Sequence, residues 1–189
     1  MPSVSSWFGS SNTSTAAANA NASGTTALPM NFECPSVTIR SGASTLTSSA
    51  DRAEPAATNL RYQVGITTTA RECRLNGSTL SIKVGMQGRV ILGPEGSAGP
   101  IDVPIRYAVV REGVPPMTIA TRLERVSVTV PPGDTNVLFS HVLDGLDFPM
   151  PPAGQIDSYV IYIGFDPIGF EEMNRKKPAP RPARNRKQA

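Results

Sequence analysis

Between Leu80 and Leu92 the apolar residues Leu80, Ile82, Val84, Met86, Val90 and Leu92 fall on every second position, with Ser81, Lys83, Gln87 and Arg89 between them. Successive side chains of a strand point to opposite faces, so this alternation predicts a strand with one apolar and one polar face. A helix would need spacings of three and four. Gly88 interrupts the apolar row and predicts a bend or bulge. The Asn76-Gly77 pair ahead of the run predicts a tight hairpin turn. The cluster GPEGSAGP behind it predicts a surface loop. The stretch reads as the central strand of an antiparallel β domain.

The same alternation recurs along the chain. Ser36 to Arg40 forms a first strand with Val37 and Ile39 on one face. Ser41 to Asn59 is small and polar, with a loop over Asp51 to Ala57. Leu60, Tyr62, Val64 and Ile66 alternate, slip by one through Thr67 to Ala70, and resume with Cys73 and Leu75, which predicts a bulge. Ile101, Val103, Ile105, Tyr107 and Val109 form the next row. Pro104 lies inside that row and points outward, which predicts an edge strand or one whose donor-less side faces out. Beyond a turn at Gly113 to Pro116, Ile119 and Leu123 lead to Val126, Val128 and Val130, with a phase slip near Glu124 and Arg125. A turn at Pro131 to Asp134 precedes Val137, Phe139, His141 and Leu143, which lead into DGLDFPMPPAG. Tyr159, Ile161, Ile163 and Phe165 make the last strand. Val160 and Tyr162 make it apolar on both faces, as in a strand buried within a sandwich. No segment of ten residues in the body has helical periodicity.

Seven or eight short strands predict an all-β, antiparallel two-sheet sandwich, immunoglobulin-like in order; a jelly roll or small barrel is the alternative. Trp7 is the only tryptophan and lies outside the strand pattern, so the likeness is one of architecture, not of antibody kinship. Three regions follow: a Ser/Ala/Asn-rich leader over 1–31, the sandwich over 32–173, and a basic tail over 174–189. Residues 1–32 carry no charge and too little apolar surface to offset their chain entropy, so a disordered leader is expected. It lacks the basic start and apolar stretch of a signal peptide. Its Trp7-Phe8 pair is the one apolar cluster there, incidental or a docking anchor.

Charge changes the picture only at one end. Of 18 basic residues, seven (Arg175, Lys176, Lys177, Arg181, Arg184, Arg186 and Lys187) fall in the tail without an acid among them. The remaining 11 face 15 acidic residues, which leaves −4 on the body. Pro178, Pro180 and Pro182 favour an extended polyproline conformation there. Such a tail suits anionic partners: lipid headgroups, envelope polymers or nucleic-acid phosphates. With no aromatic residue interleaved, base stacking is not expected. A solubilising end is the plainer reading.

Two cysteines, Cys34 and Cys73, predict one disulfide and hence an oxidising compartment; two unrelated buried thiols are the alternative. Little else points to chemistry. His141 is the only histidine, on a predicted strand, and reads as a packed or edge residue rather than a base. Two cysteines and one histidine at these spacings make no metal site. Asp144 with Asp147 and Glu171 with Glu172 fit turns and solvation better than acid–base work. GPEGSAGP lacks the Lys-Ser or Lys-Thr of a phosphate-binding loop, and no Gly-x-Ser-x-Gly elbow occurs. A non-enzyme without cofactor, metal or small-molecule substrate is expected.

The leader, the Cys34/Cys73 pair and the closing DSYVIYIGFDP together resemble uncharacterised secreted proteins or lipoproteins of alphaproteobacteria. The resemblance covers most of residues 30–170 and implies a non-catalytic module of the cell envelope, periplasmic or tethered to the outer membrane. No lipobox cysteine precedes Met1, so lipidation would belong to a precursor. The expected partner is another protein or envelope component, with an anionic surface met through the tail. The alternative is a virion or particle subunit whose sandwich self-assembles and whose arms bind neighbours or nucleic acid.

Overall fold

The computed structural model describes residues 33–51, 53–152 and 154–176. Its strands are β1 (Ser36–Ile39), β2 (Thr45–Ser49), β3 (Leu60–Asn76), β4 (Thr79–Leu92), β5 (Gly99–Arg111), β6 (Met117–Val130), β7 (Asn136–Pro149) and β8 (Tyr159–Phe165), followed by a helix, α1 (Pro167–Lys176). They form two sheets, ordered β1-β8-β5-β6 and β2-β3-β4-β7. The β3–β4 hairpin lies in one sheet and the β5–β6 hairpin in the other. β7 then returns beside β4, and β8 crosses to lie beside β5. Strands β3 to β8 follow the immunoglobulin order A-B-C-C′-E-F, with β8 in the place of F. The position after F is filled by the chain's own start, because β1 runs parallel to β8 from Ser36↔Val160 to Ile39↔Ile163.

β4 lies between β3 and β7, as its alternation predicts. Leu80, Ile82, Val84, Met86 and Val90 are fully buried, in one cluster with Val103, Ile105, Tyr107, Val109, Ile161 and Ile163 of the other sheet. Each such aliphatic side chain contributes about 1.5–3 kcal/mol when taken from water. Phe148 and Tyr159 stack across the sandwich at 5.7 Å between ring centres and close one end. The hairpin turn is centred on Gly77 and Ser78, one residue later than the Asn76-Gly77 expectation, since Asn76 still pairs with Thr79. Gly77 takes the positive φ, +62°, which glycine adopts without steric cost.

The bulges fall in definite places. On β3 the extra residue is Thr67, opposite the Gln87–Gly88 step. Gly88 is small for another reason: a Cβ there would stand 2.6 Å from the ring of Phe139, its partner on β7. On β6 the slip is at Ile119, not at Glu124 and Arg125, where the ladder with β5 is continuous. On β7, Asp144 and Gly145 oppose Lys83 alone, and Lys83 reaches Asp144 at 3.3 Å. Pairing resumes beyond them, so Leu146 and Phe148 return to the core where the sequence reading ends the strand near Leu143.

Three further differences have physical reasons. β2 lies within the stretch read as small and polar, because Leu46 is the one apolar residue in TLTSS. Pro104 is in a central strand, but β5 pairs with β8 only from Ile105↔Phe165 onward. The Pro104 carbonyl accepts from the Asp166 N–H at 3.1 Å, so the missing proline donor points past the end of β8. The helix α1 crosses the expected boundary at 173/174. Its start carries a recognisable signal, since Asp166 Oδ1 accepts the Gly169 N–H at 2.8 Å and Pro167 occupies the first turn. Arg125 lies over the Phe170 ring at 4.9 Å, which packs the helix on the outer face of β6.

Cys34 and Cys73 form the expected disulfide. It ties the entry to β1, in one sheet, to β3 in the other. A closed loop of 39 residues restricts the unfolded chain by about 4 kcal/mol in the chain-entropy model. Replacing both cysteines by serine is expected to lower unfolding stability by about that amount, read as a lower urea midpoint with a steeper slope, since the released unfolded chain is less compact. Gly88→Ala is expected to cost about 1–3 kcal/mol through overpacking. Most of that loss should disappear in a Phe139→Leu background, a coupling measurable by a double-mutant cycle.

Candidate functional site: a trough on the outer face of the β1-β8-β5-β6 sheet

Odd-numbered residues of β5 and β8 fill the core, so their even-numbered neighbours form the outer face. Near the middle of that face the side chains are small: Ala108 and Val110 on β5, Gly164 on β8. A depression of about 500 Å³ opens above them, walled by Arg40, Arg106, Thr118, Thr121 and Tyr162. A second hollow of about 490 Å³ shares Arg40, Val110, Thr118 and Tyr162 with it and extends to Glu112 and Pro116. Together they make one trough running along β5 from Arg106 to Glu112, the residue just past its end, roughly 20 Å at strand spacing.

Each end is fixed by its own polar contacts. At one end Arg106 Nε donates to Asp166 Oδ2 at 2.5 Å, and Arg106 Nη1 to Thr121 Oγ1 at 3.2 Å. Asp166 is in turn held by the first turn of α1. Burial pushes its carboxyl up, but the Gly169 N–H and the Arg106 guanidinium outweigh that and hold it below the ordinary aspartate value. At the other end the Tyr162 hydroxyl donates to Glu112 Oε1 at 2.9 Å. That bond, with some burial and the Glu112 charge, raises the Tyr162 hydroxyl above its usual value, against the opposing charge of Arg40.

Arg40 stands between the two ends. Its backbone is tied down: the Arg40 N–H donates to Ile163 O at 2.8 Å, and Ala43 O accepts from the Phe165 N–H at 2.9 Å. The Arg40–Ala43 turn lies so close over β8 that a Cβ on Gly164 would stand 2.6 Å from that of Ala43. The Arg40 guanidinium is exposed and makes no hydrogen bond or ion pair with the described residues. Sequence reading missed this site, because its members sit on four separate segments. The unusual local signal was a pair of small outward residues, Ala108 and Gly164, in otherwise bulky strands.

His141, expected to be a packed or edge residue, is half-buried on β7, an edge strand, and bridges the sheets. Its Nδ1 lies 2.8 Å from the hydroxyl of Tyr107, which is completely buried on β5. Burial raises the Tyr107 hydroxyl strongly, and Glu124 on β6 adds to this. Burial lowers the His141 imidazole, and the Glu124 charge opposes that only in part. The lowered value favours the neutral imidazole, whose Nδ1 stands within hydrogen-bond distance of the Tyr107 hydroxyl. Asp144, expected with Asp147 as a turn pair, serves the β7 bulge, and Glu171 and Glu172 are exposed on α1. Arg175 is exposed at the end of α1, which also includes the backbone of Lys176. Lys177, Arg181, Arg184, Arg186 and Lys187 lie outside the described residues, as do Trp7 and the leader.

Among the described residues no three His, Cys, Asp or Glu side chains converge as metal ligands, and no helix is long and apolar enough to cross a membrane. No protein-family model, curated protein or solved structure matches this chain. The strand order makes the fold an immunoglobulin-like β sandwich.

Because the folded His141 imidazole titrates below its ordinary 6.5, the unfolded chain binds more protons in the window beneath that value. Stability is complete above about pH 6.5 and falls as the pH drops toward the lowered pKa. Urea midpoints measured from pH 7.5 to 5 should show this loss, and Tyr107→Phe with His141→Gln should flatten the part that His141 contributes. His141→Leu leaves the Tyr107 hydroxyl without an acceptor and is expected to cost about 1–3 kcal/mol at pH 7.5, against about 1 kcal/mol for Tyr107→Phe.

Proposed function

We propose that this chain is a non-catalytic interaction module of the cell envelope, periplasmic or tethered to the outer membrane. Its sandwich presents the trough to another envelope component. The observation that carries the reading is the Cys34–Cys73 bond. A disulfide persists in an oxidising compartment, and this one secures β1, the strand that leads into the Arg40 wall of the trough. The polar contacts around the trough are of a binding kind: a guanidinium held by a carboxylate, a tyrosine held by a glutamate, and a cation left open. In this reading the basic tail adds a second, purely electrostatic contact with anionic surfaces, since the body itself carries a net negative charge.

Fractionation of cells expressing the protein from its own gene, with alkylation of free thiols before lysis, tests the compartment. The protein is expected in the envelope fraction with both cysteines protected. Recovery from the cytoplasm with two alkylated thiols would overturn the envelope reading. Assembly into large particles on size exclusion would favour a particle subunit instead. For the tail, changing Arg175, Lys176, Lys177, Arg181, Arg184, Arg186 and Lys187 to Gln is expected to abolish retention on anionic liposomes. Added salt should do the same to the intact chain, because exposed charges are screened over about 8 Å at physiological ionic strength.

A further inference from the structure

We infer that the trough is a binding site for an acidic oligosaccharide whose carboxylates are spaced apart by neutral sugars, with Arg40 seating a carboxylate. The inference rests on the interaction-module reading and names the ligand class for its site. The shape comes first. Hollows of about 500 and 490 Å³ join around Arg40 and Tyr162, each of a size that binding clefts commonly have. The depression is elongated and open along its length, which suits a chain rather than a compact molecule.

The chemistry of the walls narrows the class. Arg106 is engaged by Asp166 and Thr121, and Glu112 by Tyr162, so the rim is ordered before any ligand arrives. Of the two arginines, Arg40 makes no hydrogen bond or ion pair with the described residues, its charge acting only on the neighbouring Tyr162 hydroxyl, and its planar fork of donors matches a carboxylate. The hydroxyls of Ser41 and Thr118 and the second oxygen of Glu112 are placed among them as partners for neutral ligand hydroxyls. Two arginines are balanced by two carboxylates along the trough. A densely charged polymer would meet Asp166 and Glu112 as repelling groups, whereas a sparsely charged one need not.

The position on the sheet argues against a peptide. Peptides that bind sheets add to an edge and are held by main-chain hydrogen bonds. Here the edge of β8 is already covered by β1 and the Arg40–Ala43 turn. The trough lies on the face, where the sheet offers side chains and no unpaired ladder. An extended peptide laid there would leave most of its backbone donors and acceptors to water. A saccharide carries its polar groups on the outside of each ring and is suited to side-chain partners.

The test is calorimetric titration of the full-length, disulfide-bonded chain, and of the same chain with the seven tail cations changed to Gln. The probe is a hyaluronan tetrasaccharide, in which glucuronate alternates with N-acetylglucosamine. Both proteins are expected to bind it equally. Arg40→Gln and the carboxyl-reduced tetrasaccharide should each weaken binding tenfold or more. Arg40→Lys should restore part of the loss, and circular dichroism should show the fold intact in each variant. The proposal is overturned if the tetrasaccharide fails to bind, or if Arg40→Gln leaves its affinity unchanged. Loss of binding in the tail variant would move the contact to the tail. Equal binding by tri-glutamate that depends on Arg40 would assign the trough to acidic peptides. A cytoplasmic, reduced protein that still bound the tetrasaccharide through Arg40 would sink the envelope reading and leave this one standing.

Discussion

Two sheets of this size stay together only through what their facing side chains remove from water, and here that interior is almost wholly hydrocarbon. The buried set runs from Val64 on β3 through the β4 row to Val103, Ile105 and Val109 on β5 and Ile161 and Ile163 on β8. Tyr107 is the largest fully buried side chain and brings a hydroxyl into that layer. An unpaired hydroxyl in such surroundings costs about as much as one or two of the aliphatic contacts beside it contribute. His141 removes that cost by reaching in from the rim of the opposite sheet. The sandwich is therefore closed on its β6/β7 side by a polar contact whose strength depends on pH. On the β1/β2 side it is closed by a covalent bond.

That asymmetry bears on where binding can occur. The β6/β7 side combines a titrating bridge with long edge strands, and Arg122 there approaches Gly145 O only at 3.5 Å. The opposite side has the disulfide, a parallel strand pair and a turn held by two backbone hydrogen bonds, at 2.8 and 2.9 Å. Groups that must hold a ligand in a fixed geometry are better carried by the second kind of support. Arg40 is placed there, directly after β1.

Much of the fold could be read from the chain because its strands alternate cleanly. The apolar rows of β4, β5 and β8 face the core as their alternation predicts, and the cysteine pair is bonded as expected. Val160 and Tyr162, read as making β8 buried on both faces, are instead half-buried on its outer face. What escaped did so for identifiable reasons. β2 contributes one apolar side chain to the core, so its pattern looks like a loop. The far half of β7 resumes after a bulge at Asp144 and Gly145 that resembles a turn. α1 is too short to show periodicity, although Asp166 and Pro167 mark its start. The trough was hidden most completely, since Arg40, Arg106, Glu112 and Tyr162 are unremarkable in sequence and become neighbours only through strand order.

The strand order also explains why a trough exists at all. In an immunoglobulin-like sandwich the position beside F is normally taken by the strand that follows it in the chain. Here that position is occupied from the other end of the sequence, by β1 running parallel to β8. A chain that arrives this way must then leave the sheet to reach β2 in the other layer. It does so by the Arg40–Ala43 turn, which folds over β8 at Gly164. The turn excludes any larger residue from that point of the face and raises a wall beside it. It also carries Arg40 to the rim of the depression beside Tyr162, where its guanidinium makes no hydrogen bond or ion pair with the described residues. The depression, the wall and the uncommitted cation are thus one consequence of completing the sheet with the first strand instead of the last.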